Sequence, residues 1–405
     1  MNEQIQHHPL PLAGTRVLDL TAIVLGPLAT LCLADLGADV VKVEPPEGDG
    51  IRNAGASRNA GMGSIYLTLN RDKRSLSLDL KRPEARTVLE KLAVWADVVV
   101  HNMRPEAAAR LGIDYTTLSA LNPRLVYCSA SGFAAGSDRA RDPAVDDVIQ
   151  AGSGLAALFG QDGSPPRYAP TLIADKVSGL IACQAILAAL LAREKSGRGQ
   201  QISVPMAETV SAFVLLEHLG GLAFDPPVAG AGYGRLLTPH RRPIATLDGY
   251  IAMTPYTKRD WQSFFRAAGR EELCDDPRVV DNKRRNDEIG DLYALLGDIL
   301  RERPTSEWIE IARAAGIPVS AVRSLDDIIA DRGLYEAGYL MEVDHPSEGK
   351  TVGVGPLVSW PDKAEGAPRP APNLGEHSRE ILDEIGLNRQ TVDELVSSGV
   401  VRQFR

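Results

Sequence analysis

Asp175 ends the apolar run APTLIAD and opens residues 176–193, a stretch made almost entirely of helix formers and small apolar residues. Lys195 to Gly199 then supply the cationic last turn and the glycines at which a helix stops. A carboxylate at such a helix start meets unpaired amide donors and the positive end of the helix dipole, both of which stabilise negative charge. Two roles fit that placement: a plain helix cap, or a carboxylate kept ionised to attack an electrophilic carbon. A second group of residues suits anion binding. Lys42, Arg52, Lys73, Arg74, Arg104 and Arg110 sit in short polar loops that follow apolar strands, where they would line one rim of a ligand crevice or serve as solvated surface charge. Other chemistries are missing. There is no glycine-rich dinucleotide fingerprint, no P-loop, no nucleophile-elbow serine and no zinc-protease HExxH.

The elements needed to hold these residues alternate in the manner of a parallel, doubly wound sheet. Residues 15–20, 39–44, 75–80, 97–102, 125–133 and 200–206 read as strands, and residues 26–37, 83–96 and 146–158 as helices between them. In such a sheet the loops at the carboxyl ends of the strands face the ligand. Residues 224–243, FDPPVAGAGYGRLLTPHRRP, are rich in Gly and Pro with isolated aromatics and read as a long linker or a substrate-facing loop. A second unit follows, with helices near 258–268, 287–301 and 305–315, a strand in IPVSAVRS, and Ser324 with Asp327 as a capping pair. The division expected is a large domain over 8–215, a linker over 216–245, a small domain over 246–325, and a C-terminal segment over 326–405 that returns to the large domain.

With 405 residues, 44% of them hydrophobic and 24% charged, the chain has material for two buried cores. A net charge of −9 without a dense Lys/Arg run argues against nucleic acid as a partner. Cys32, Cys128, Cys183 and Cys274 are far apart with no metal-ligand spacing, so neither a disulfide frame nor a metal site is expected, and the usage fits a reducing cytoplasm. The N-terminal residues lack a signal-type apolar core, and the apolar helix near 180–191 reads as too short and too rich in small residues to span a membrane.

Several ordered segments resemble one family. LDLTAIVLGPLATLCLADLGADVVKVEPPEGD, LNRDKRSLSLDLKRPEA, ADVVVHNMRPEAAARLGIDY, DDVIQAGSGL, LIADKVSG and EKSGRGQQISVPMAE are similar, in that order, to the class III coenzyme A transferases, and AGIPVSAVRSLDDIIAD and NLGEHSREIL extend the likeness to the C-terminus. The resemblance implies an α/β subunit with a Rossmann-like parallel sheet in the large domain and a smaller α+β domain. It further implies an open ring, two of which interlock as a homodimer. It places Asp175 at the family's catalytic carboxylate and CoA along Val24, Leu25, Arg52, Asn70, Lys73, Arg74, Asn102, Met103 and Arg110. The substrates implied are an acyl-CoA, succinyl-CoA being a reasonable donor, and a small carboxylic acid, with no tightly bound cofactor.

One position separates activities within that family. Racemase members carry a histidine where this chain has Val145, 30 positions before Asp175 and next to Asp146. Moving an α-proton between faces needs two acid/base groups, and valine is neither, so transfer is expected over racemisation or epimerisation. A CoA-binding protein without catalysis is the third reading. Transferase members often have Tyr at the same position, so Val145 suggests a larger or more apolar acyl pocket, and TPYTKRDWQ replaces the glycine-rich loop of the formate/oxalate branch. Asp146 reads as a helix start or as an acidic neighbour of the nucleophile. His101 reads as structural, His240 with Arg241 and Arg242 as either ligand contacts or solvated charge, and His7 and His8 as a tail without chemistry. Glycines around Gly230 to Gly234 are candidates to help hold an oxyanion.

Overall fold

The computed structural model describes residues 9–160, 163–360 and 368–404, which fall into two compact units. His7 and His8 lie outside the described residues. The larger unit takes the chain up to Ser153, Ala169–Ser211 and everything from Arg332 onward. Its parallel strands are β1 (Arg16–Leu20), β2 (Asp39–Glu44), β3 (Lys73–Leu78), β4 (Val98–His101), β5 (Val126–Ser131) and β6 (Gln201–Pro205). They lie in the order β3-β2-β1-β4-β5-β6, so the order reverses between β1 and β4, where open sheets of this type form a ligand crevice.

The valine-rich strands are buried on both sides, as parallel strands covered by helices must be. Leu18, Val41, Leu76 and Val99 meet the Ala85–Trp95 helix on one face. Val17, Val40, Val98 and Val126 meet the Leu25–Asp35 and Ile173–Ser196 helices on the other. SLSLDL alternates as a half-exposed strand would, yet β3 starts two residues earlier at Lys73 and is buried along its whole length. The alternation is Leu on one core face and Ser on a polar interior, where Ser75 Oγ donates to Glu44.

The smaller unit comprises Gly154–Tyr168 and Ala212–Asp331, an antiparallel sheet of β7 (Ile244–Ala245), β8 (Tyr250–Met253) and β9 (Val319–Ala321) with helices. Trp261, Phe264, Phe265, Leu296 and Trp308 fill its core. The Ser324–Asp327 capping box forms as the spacing requires. The stretch expected to be a linker is instead built into this unit: Gly232 N–H donates to the His218 carbonyl and Gly221 N–H to the Gly230 carbonyl. The C-terminal segment adds a hairpin of β10 (Leu340–His345) and β11 (Gly349–Val354) to the large unit, and β12 (Val401–Arg402) pairs antiparallel with β3 at the sheet edge.

The long helix, Ile173–Ser196, has 24 residues and stops at Gly197 in the left-handed conformation. By length and composition it is sufficient to cross a membrane, contrary to the sequence expectation. One face of it, from Ala174 through Gly179 and Ile186 to Leu190, is buried in the large unit.

Candidate active site

Asp175 is the third residue of the long helix and not its cap, because the helix already begins at Ile173 behind Leu172. It is 9% exposed. The backbone amide of Leu25, the first residue of the Leu25–Asp35 helix, which follows β1 at the point where the strand order reverses, favours the ionised form of Asp175. Burial above all, and the Asp146 carboxylate next, push its pKa up to about 6, against the lowering effect of the Leu25 amide.

Asp146 is both a helix start and an acidic neighbour of Asp175. It starts the Asp146–Gly152 helix, and its Oδ1 accepts from the Asp175 N–H at 2.9 Å. Its Oδ2 accepts from Gln150 Nε2 at 2.6 Å, and Gln150 Oε1 in turn accepts from the Ala169 N–H at 2.9 Å. This chain fixes the approach of residues 169–175 to the helix. Val145 occupies the N-cap position with its side chain 64% exposed, so no titratable group precedes Asp146 there.

The loop from Thr21 to Val24, which delivers the Leu25 amide, is held at successive residues. Thr21 bonds to Asp19 through both N–H and hydroxyl. Ala22 is bracketed by the Asn102 side chain, which accepts from its N–H at 3.0 Å and donates to its carbonyl at 2.8 Å. Ile23 sits at φ 72°, a left-handed conformation costly for a β-branched residue, and its N–H donates to Asp49. Lys42 Nζ bridges Asp49 and the Thr21 carbonyl, at 2.9 Å to each. Strain concentrated here and over-determined by its neighbours is typical of a working site.

Four expected rim cations prove to be interior. Lys73 Nζ is fully buried and donates to Asp19, the Pro27 carbonyl, Thr30 and Asn70, and burial pushes its pKa down to about 8. Lys42 is likewise buried against Asp49. Arg52 makes a forked pair with Glu44 and bonds Tyr66 and the Pro372 carbonyl. Arg74 is divided among Asp39, Glu380 and Glu384. A buried cation already ion-paired and hydrogen-bonded inside the protein is not free to grip a phosphate. Asn70 is buried with Lys73, and Asn102 serves the Thr21–Val24 loop. Arg104, at the N-cap of the Pro105–Leu111 helix after β4, and Arg110, in its last turn, remain exposed, with Met103 half-buried before it.

Val24 and Leu28, with Leu172 just before the long helix and Lys176 and Leu180 within it, wall part of a mostly apolar cavity of about 600 Å³ in the large unit. His101 is structural: Nδ1 accepts from the Met103 N–H, Nε2 meets Tyr127 Oη at 2.7 Å, and burial lowers its pKa to about 4. His240, Arg241 and Arg242 are exposed in the smaller unit, which also holds Gly230 to Gly234. Among the described residues, no group of three His, Cys, Asp or Glu has a metal-binding arrangement.

The sequence did not single out Asp19, Asp49, Gln150 or Gly179. Asp19 interrupts an apolar strand and Asp49 follows a glycine in EGDG, which were the available signals.

Residues 12–378 match the model of CoA-transferase family III. The chain is 30% identical over 399 residues to succinyl-CoA:glutarate CoA-transferase of Homo sapiens, covering 97% of this chain and 90% of that protein. It is 33% identical over 413 residues to formyl-CoA:oxalate CoA-transferase of Streptomyces coelicolor, covering 96% and 99%. The crystal structure of Rv3272 from Mycobacterium tuberculosis superimposes with a TM-score of 0.80 at 28% identity, covering 93% of this chain and 100% of that one.

Proposed function

The chain belongs to CoA-transferase family III and is an enzyme of that family, and from this premise we propose that Asp175 carries the reaction as a covalent nucleophile. The observation that supports the reading most is the buried Asp175 carboxylate, whose charged form the Leu25 amide favours, next to the reversal point of the sheet. In the proposed cycle Asp175 attacks the thioester carbonyl of the donor; a C–O bond forms, the C–S bond breaks, and an acyl-aspartyl anhydride and CoA thiolate result. The thiolate attacks the aspartyl carbon, releases the donor acid and leaves an aspartyl-CoA thioester. The acceptor carboxylate displaces the thiolate to form a second anhydride. Thiolate attack on the acceptor's carbon then yields the new acyl-CoA and regenerates Asp175. Excluding water from this sequence matters, because water would hydrolyse either intermediate, and the burial of Asp175 serves that end.

Succinyl-CoA as donor and a dicarboxylic acid such as glutarate as acceptor are supported by the names of similar proteins. CoA carries phosphates that need cations. Arg104 and Arg110 are the exposed ones after β4, and the apolar cavity beside Val24 gives room for uncharged carbons. A homodimer and a cytoplasmic location complete the proposal. Racemisation is disfavoured by Val145, and absence of α-deuterium uptake from deuterated water by a chiral 2-methylacyl-CoA is expected. The direct test is CoA exchange from succinyl-CoA to glutarate by Asp175→Asn. Turnover at background supports the reading, and turnover at the wild-type rate refutes it.

A further inference from the structure

The smaller unit contains a buried cation without a counter-charge. Among the described residues six arginines are buried, and five have acceptors: Arg52 on Glu44, Arg71 on Asp35, Arg74 on Asp39, Arg193 on Asp97, and Arg285 on the Val279 carbonyl and Asn282. Arg235 is the exception. It is 7% exposed, forms no ion pair among the described residues, and its Nη2 has no hydrogen-bond partner. Burying an unpaired charge is costly, so such a group points to an acceptor that arrives from outside the folded chain.

Its surroundings say what kind. The guanidinium carbon lies 4.0 Å from the ring centre of Tyr256 and 5.7 Å from that of Tyr293. Tyr256 is 57% exposed, so one side of the stack reaches solvent. The Tyr293 and Trp261 rings are 6.3 Å apart, and Tyr293 Oη and Trp261 Nε1 are themselves buried without partners. Three unsatisfied hydrogen-bonding groups thus belong to one aromatic cluster, each able to donate and none bonded to a carboxylate among the described residues. A guanidinium stacked on an aromatic face keeps its planar fork oriented, and an apolar setting strengthens its pairing with an anion. Arg235 stands in the Gly- and Pro-rich stretch whose composition reads as a long linker or a substrate-facing loop.

We propose that Arg235, stacked on Tyr256, is a binding site for the carboxylate of a small organic acid. The choice of carboxylate over phosphate rests on the transferase reading, in which the second substrate is an acid. The test is calorimetric titration of the full chain with glutarate, using wild type, Arg235→Gln, Arg235→Lys and Asp175→Asn, with inorganic phosphate as competitor. Wild type and Asp175→Asn bind glutarate, Arg235→Gln binds at least tenfold more weakly, Arg235→Lys falls between, and phosphate competes poorly. Should Arg235→Gln fail to fold, Tyr256→Leu removes the stacking face and weakens binding in the same direction. The proposal is overturned if wild type does not bind glutarate, if Arg235→Gln binds it equally well, or if phosphate competes on equal terms. It is also overturned if Arg235→Gln changes only the mass of the assembly, which would assign the missing acceptor to a second copy of the chain. Glutarate binding through Arg235 without CoA transfer would defeat the transferase reading alone, and transfer without such binding would defeat this site alone.

Discussion

Asp175 is held between opposing influences. Burial and the Asp146 carboxylate favour its protonated form, while the Leu25 amide and the first turn of the long helix favour the anion. A carboxylate with a pKa near 6 is ionised at neutral pH and more basic than an exposed aspartate. The rate of transfer is therefore expected to fall as the pH drops through about 6, following a single protonation, where an unperturbed carboxylate would hold the rate down to about pH 4. The same shift makes a statement about stability. The folded form binds the proton more tightly than the unfolded chain, so ionised Asp175 lowers stability above pH 6, and the penalty disappears below the unfolded value near 3.8. Asp175→Asn is expected to be more stable than wild type by roughly 2–3 kcal/mol at pH 7.5 and indistinguishable from it at pH 3.5, as read from urea unfolding. A stability difference independent of pH would show that the shift is absent.

At the scale of elements, the site depends on how closely two helices approach. A Cβ on Gly179 would stand 2.7 Å from the Leu25 carbonyl oxygen and 3.3 Å from Leu28, so glycine is what lets the long helix lie against the Leu25–Asp35 helix. Gly179→Ala is expected to cost about 1–3 kcal/mol by overpacking, although alanine is the better helix former. It should lower the rate of transfer too, because it moves the helix carrying Asp175 away from the Leu25 amide that favours its ionised form. A thermal melt and a turnover assay check both; a more stable, fully active variant would contradict the packing argument.

The elements also show what a sequence discloses and what it withholds. The alternation of short apolar strands with helices was legible, as was a carboxylate in the first turn of the long helix, because both depend on neighbours in sequence. The fate of the loop cations was not. Lys73 pairs with Asp19, 54 residues away, and Arg74 with Glu380 and Glu384, more than 300 residues away. A lysine at a strand end looks the same in sequence whether a phosphate or a buried aspartate awaits it. The hairpin of β10 and β11 escaped notice for a related reason, since its residues alternate between half-buried and exposed and leave only a weak pattern.

The whole molecule carries apolar surface that a lone chain would leave in water. Leu216 is 81% exposed, Val228 71% and Phe224 59%, within one short stretch of the smaller unit. Apolar residues clustered in this way commonly mark an association surface. Light scattering is expected to give twice the chain mass of 43.5 kDa, and a mass of 43.5 kDa would contradict the dimer.

The central claim is that Asp175 becomes covalently acylated. Its most direct test is mass spectrometry of the protein mixed with succinyl-CoA, quenched with hydroxylamine and mapped by peptide. A hydroxamate on the peptide containing Asp175, absent without succinyl-CoA and absent in Asp175→Asn, is the predicted result. Efficient CoA transfer with Asp175 never modified, or with the modification on another residue, would contradict the account.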